Sequence, residues 1–195
     1  MALVLVSGAV FAAILIAAAS SDQAEPAGDG QRRFEGATLP KNLEAPEFEL
    51  TDQDGKRIAM RDLRGRPVIV TFLYTTCEDT CPSQAQQVRA ALDELGEDVP
   101  AVAVAVDPPR DTPANARSFL AEQKLTGRMR FALGSAEELR AVWRGFFVQP
   151  QREDLEHTAR LVLVDAKGLQ RVSFPIDQVT PDRLAHDLRL LAAGA

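Results

Sequence analysis

Cysteine and histidine are scarce in this chain of 195 residues, which has two of each. Two cysteines cannot build the multi-bridge framework that staples a small secreted scaffold, and a chain of this size does not need one. A closed structural zinc site takes four protein ligands, whereas this sequence offers at most three in one place. Positive charge is short as well: 22 Lys and Arg stand against 28 Asp and Glu, a net charge of −6. No basic run or stripe offers phosphates a counter-charge, so a nucleic-acid partner is excluded. There is no internal repeat and no low-complexity segment. A protein or small-ion partner is what remains.

What the chain does have is one organising stretch, Val68 to Gln84, reading VIVTFLYTTCEDTCPSQ. An apolar, β-branched run stops at a turn, the two cysteines Cys77 and Cys81 follow four residues apart, and Pro82 opens a helix. Such a strand, loop and helix start puts two thiols at a sheet edge. The unpaired N–H groups and the dipole of the helix N-terminus lower thiol pKa values and favour thiolate, the form that binds soft metal or attacks a disulfide.

Residues 1–19 carry no charge and are long enough to cross a bilayer core at about 1.5 Å per residue. The reading is a membrane anchor or signal segment over 1–20, with Ala17 to Ala19 available as a small-residue cleavage site. The length favours an anchor, with the domain outside the cytoplasm. Residues 21–45 are polar and poor in apolar side chains, and are expected to form a flexible linker. Residues 46–195 are expected to form one domain, a normal size for a single core.

Within it, Phe48 to Leu50 and Arg57 to Ala59 flank Asp52-Gln53-Asp54-Gly55, which predicts a β-hairpin. Val68 to Tyr74 is a strand, Pro82 to Leu95 a helix with Ala85, Val88, Leu92 and Leu95 on one face, and Ala101 to Val106 a strand without polar alternation. A strand apolar on both sides belongs in the middle of a covered sheet. Thr112-Pro113 starts a second helix to about Gln123. A strand over Met129 to Leu133 follows, and Ser135 with Glu138 makes a capping box for a third helix. Its Trp143 and Phe146, with Phe147, read as core. Thr158 to Val164 and Leu169 to Phe174 form a second hairpin, and Thr180-Pro181 opens a last helix burying Leu184, Leu188 and Leu191. The order describes an α/β domain with a thioredoxin-like fold and an additional N-terminal β-hairpin.

Two thiolates hold a soft monovalent ion, and an imidazole closes a trigonal site of a kind that suits Cu(I). His186 sits two positions after Leu184, about 200° round the helix from the buried stripe, and is expected to face solvent. His157 lies in a polar segment just before a strand, a position that comes beside the cysteine loop in a thioredoxin-like sheet. A structural disulfide between Cys77 and Cys81, an ordinary loop role for His157, and a catalytic zinc with an open position remain as alternatives. Asp107-Pro-Pro-Arg-Asp111-Thr-Pro leaves the central strand towards the same edge and reads as a turn plus helix cap.

Together YTTCEDTCP, VDPPRDTP and EHTARLVLVDAKG resemble the Sco/SenC family of copper-binding assembly factors, in order and in spacing, from about Pro46 to the C-terminus. The resemblance implies a thioredoxin-like domain tethered on the outer side of a bacterial membrane, with copper held by Cys77, Cys81 and His157. It implies a metallochaperone, or a thiol reductant of the target's cysteines, in assembly of the dinuclear copper centre of cytochrome c oxidase. The partner it implies is that enzyme's copper-site subunit; an outside compartment oxidises vicinal thiols, so a thiol reductase is expected as well. Glu78 stands where the family usually has Pro, and Leu73 where Gly is frequent; the extra charge at Glu78 opposes thiolate formation. The rival reading is an enzyme on the same fold, a thiol-disulfide oxidoreductase or thiol peroxidase, whose chemistry needs the cysteine pair and not His157.

Overall fold

The computed structural model describes residues 33–151 and 158–194, and one compact unit, Phe34–Ala195, holds the elements described below. The expected membrane segment, and residues 21–32 of the expected linker, lie outside the described residues. No helix among those described is long and apolar enough to cross a membrane.

The sheet grows outward from Val68–Leu73 (β4), whose six residues are all buried. Successive side chains of a strand point to opposite faces, so β4 is covered on both. The following helix, Thr80–Leu95 (α1), returns the chain to Ala101–Ala105 (β5), parallel to β4 with Ile69 opposite Ala101 and Leu73 opposite Ala105. Beyond β5 lies Met129–Ala132 (β6), also parallel. On the other side of β4, Arg160–Val164 (β7) and Gln170–Pro175 (β8) form an antiparallel hairpin, and Ala37–Thr38 (β1) pairs with β8. The strand order is therefore β1-β8-β7-β4-β5-β6. Three chain ends meet at one edge: β4 and β5 finish there and β7 begins there.

The N-terminal hairpin forms as expected, from Glu49–Thr51 (β2) and Arg57–Ala59 (β3), as a separate two-stranded sheet. Its turn needs Gly55, at φ 75°, and Asp52 gathers the N–H groups of Asp54 and Lys56. Pro113–Glu122 (α2) starts where Thr112 accepts from the Asn115 N–H, and Ala136–Gly145 (α3) carries both halves of the capping box. In Pro181–Ala192 (α4), Leu184, Leu188 and Leu191 are buried, and the helix packs on α1.

Four expectations need correction. Helix α1 begins at Thr80, not Pro82, because Cys77 supplies an acceptor for the first turn. Residues 34–45 belong to the folded unit rather than to a linker: β1 pairs with β8, and the buried carboxylate of Asp187 accepts from the N–H groups of Glu35 (2.8 Å) and Gly36 (3.0 Å). Phe147 is not core. It takes φ 57° just past α3 and is 60% exposed, while Trp143 and Phe146 are buried. His186 is half-buried rather than solvent-facing, next in the chain to the buried Asp187 that binds the N-terminal segment.

Candidate metal centre

The end of β4 and the start of α1 place the thiols. The Cys77 N–H donates to the Tyr74 carbonyl at 3.3 Å, closing a turn over Tyr74-Thr75-Thr76-Cys77. The first N–H groups of a helix have no partner within it. Asp79, at the N-cap, makes no side-chain capping bond; instead the Cys81 N–H donates to Cys77 Sγ at 3.2 Å. The Thr80 hydroxyl lies 3.4 Å from the same sulfur. Both cysteines are free and buried.

The two thiols are not equivalent, contrary to the expectation that the helix terminus favours both thiolates. Burial raises the pKa of Cys77, but hydrogen bonds from Thr80 and Cys81 outweigh it and the net shift is downward. Cys81 is pushed up, chiefly by its deeper burial and further by the neighbouring Cys77. Within one turn the terminus therefore serves the outer sulfur and not the inner one. At a given pH Cys77 is therefore the readier of the two to be thiolate, and Cys81 the readier to keep its proton.

His157 lies outside the described residues. Among those described, no three His, Cys, Asp or Glu side chains form a metal-holding group. The chain on either side of 152–157 is nevertheless fixed. Gln151 N–H donates to Val106 O at 2.9 Å, and Val106 N–H donates to Leu73 O at 3.1 Å. The Thr158 N–H donates to Gln149 O at 3.1 Å, and the Gln149 N–H to Thr158 Oγ1 at 3.2 Å. Two residues further on, the Arg160 carbonyl accepts from Gln84 Nε2 at 3.1 Å. Gln84 is fully buried in α1, three positions after Cys81, and its amide also donates to Thr71 of β4. Helix α3 ends at the same edge, with Trp143 Nε1 donating to Ala105 O at 2.9 Å and the Phe146 ring 5.4 Å from that of Phe72.

Sequence reasoning passed over two residues of this site. Gln84 is polar on an otherwise apolar helix face. Asp111, read as part of a turn and cap, is a buried carboxylate bonded to the cysteine loop at Thr75. The signal for Asp111 was its place on the loop leaving β5, beside the end of β4.

A mixed sheet in this order, with a dithiol where a central strand runs into a helix, defines a thioredoxin-like α/β domain with a cysteine site at its edge. Such a scaffold carries many chemistries, so the class alone does not fix the function. The chain belongs to the SCO1/SenC family, whose model matches residues 36–193. It is 33% identical over 132 residues to the mitochondrial protein SCO1 homolog 1 of Arabidopsis thaliana, covering 63% of this chain and 38% of that one. Similarity to protein SenC of Rhodobacter capsulatus is 30% over 148 residues, 71% of this chain and 66% of that one. The structure of Bradyrhizobium japonicum ScoI with copper bound is 30% identical, with a TM-score of 0.65, over 76% of this chain and 99% of that chain. The chain spans about half the length of the first curated relatives it matches, from 38% to 55%.

Proposed function

We propose that this chain is a copper metallochaperone, taking Cu(I) as cargo on Cys77, Cys81 and His157 and passing it to the copper-site subunit of cytochrome c oxidase. The observation that carries the reading is the preformed Cys77–Cys81 pair, with one sulfur already accepting hydrogen bonds and the other held beside it. Family membership and the copper-bound relative supply the metal. Support for His157 comes from its neighbours, since Gln151 is bonded to Val106 at the end of β5 and Arg160, two residues past Thr158, to Gln84 of the helix that carries Cys81. Two thiolates and a neutral imidazole around Cu(I) leave a net charge of −1 and a three-coordinate ion open to an incoming ligand. The ion then moves by ligand exchange without being released.

The uncharged run over residues 1–19 supports a membrane anchor, with the domain on the outer side of a bacterial inner membrane. That compartment oxidises vicinal thiols, so a thiol reductase is implied as second partner. The unequal cysteines favour one further reading: Cys77 as attacking thiolate and Cys81 as resolving thiol make a disulfide reductant, serving the cysteines of the same copper centre. Replacing Cys77 by Ser in cells tests the assembly role. Loss of the oxidase copper centre is expected, and a normal centre in that strain overturns it.

A further inference from the structure

The loop between β5 and α2, Val106 to Thr112, touches both chain segments that border the site. Its Val106 carbonyl holds Gln151, and its Asp111 carboxylate holds the cysteine loop. We infer that Asp111 is the positioning residue of the dithiol site, its buried carboxylate fixing the turn that presents Cys77 to Cys81 and to an incoming metal.

The geometry divides the carboxylate between two loops. Oδ1 accepts from the Thr75 N–H at 2.7 Å and the Thr75 hydroxyl at 2.9 Å, while Oδ2 accepts from the Asp107 N–H at 2.9 Å. Thr75 is the second residue of the turn whose last residue is Cys77, so the grip falls on the corner that sets the cysteine's direction. The Asp111 N–H and the Arg110 N–H both donate to the Asp107 carbonyl, which makes the supporting loop rigid in turn.

No cation neutralises Asp111 among the described residues, since Arg110 turns to the carboxylate of Asp107. A buried carboxylate without a cation is costly, and it persists only where its acceptors are all used. Closing the β5–α2 loop alone needs one acceptor, which an Asn would supply. The second oxygen is required only to hold Thr75. An amide in its place would put N–H against N–H on one of the two loops, so Asp111→Asn keeps the volume and breaks the bridge.

The test is amide hydrogen exchange on the reduced full chain, with Cu(I) competition titration beside it. In Asp111→Asn, exchange at the Cys77 and Cys81 amides is expected to rise about tenfold or more, the order set by freeing one ordered backbone residue. Amides within β4 and β5 should keep their wild-type rates, and Cu(I) affinity should fall about tenfold for the same reason. Thr75→Ser should behave as wild type. Thr75→Val, which keeps the N–H and loses the hydroxyl, should show a smaller acceleration at the same two amides, and adding it to Asp111→Asn should do no further harm. Wild-type exchange at both cysteine amides in a folded Asp111→Asn overturns the inference, as does an even rise over the whole sheet. Should that variant not fold, unchanged exchange in Thr75→Val overturns it instead. The copper arm rests on the carrier reading and the exchange arm does not. A wild type that fails to bind Cu(I) therefore sinks that reading and leaves the amides to decide this one.

Discussion

Gln84 ties the helix that carries Cys81 to two strands at once, and its replacement by Leu puts a number on that tie. In the wild type its amide donates to Thr71 Oγ1 on β4 and to the Arg160 carbonyl at the head of β7. Leu fills nearly the same space but withdraws both donors inside a fully buried site. Stranding a buried partner costs about 1–3 kcal/mol, whereas a satisfied hydrogen bond is worth about 1 kcal/mol net. One term works the other way: Gln84 Oε1 has no hydrogen-bond partner among the described residues, so removing it relieves a desolvation penalty. The balance is a loss of about 1–2 kcal/mol, or about 3–6 °C in Tm for a domain of this size. Thr71→Val should cost about 1 kcal/mol alone. The double variant should be more stable than the sum of the two by at least about 0.5 kcal/mol, because each single change strands the other's partner. Urea unfolding of the four proteins at a common m-value measures this. Costs that add within about 0.3 kcal/mol would refute the bridge as the mechanism.

Two more outcomes follow from the inequality of the thiols. Iodoacetamide at neutral pH should alkylate Cys77 about tenfold or more faster than Cys81, since thiolate is the reacting form; peptide mass mapping that finds equal rates would contradict the lowered pKa at Cys77 and the raised one at Cys81. Because burial raises the pKa of Cys81 in the folded state, the folded chain keeps a proton that the unfolded chain loses near its ordinary value of 9.0. Stability held below pH 9 is thus lost as pH rises above it, by about 1.4 kcal/mol per unit relative to Cys81→Ala. Parallel pH profiles for the two proteins would show that Cys81 titrates normally when folded.

Much of the scaffold is local and was therefore legible. The uninterrupted apolar runs of β4 and β5, the Asp-Gly turn before β3 and the Ser135 to Glu138 capping box each state their structure within a few residues. What stayed hidden depends on distant partners. Residues 34–45 look like linker because their side chains bury little, yet they are held by backbone pairing with β8 and by Asp187, 151 residues beyond Gly36. Phe147 has the composition of core, and only its left-handed φ turns it outward. At the site, the cysteine spacing marked the pair, but Cys77 capping α1 sets the helix start two residues earlier and splits the two pKa values. Asp111 and Gln84 act across 36 and 76 residues, respectively, on Thr75 and Arg160, separations that no periodicity reveals.

The measurement that bears most directly on the carrier reading is an anaerobic Cu(I) titration of the reduced chain against a competing chelator, beside its His157→Ala variant. The account expects one tight equivalent in the wild type, strongly weakened by the substitution. Weak binding that is indifferent to His157 would contradict it, and would leave the pair Cys77 and Cys81 as the working part of a thiol-disulfide enzyme.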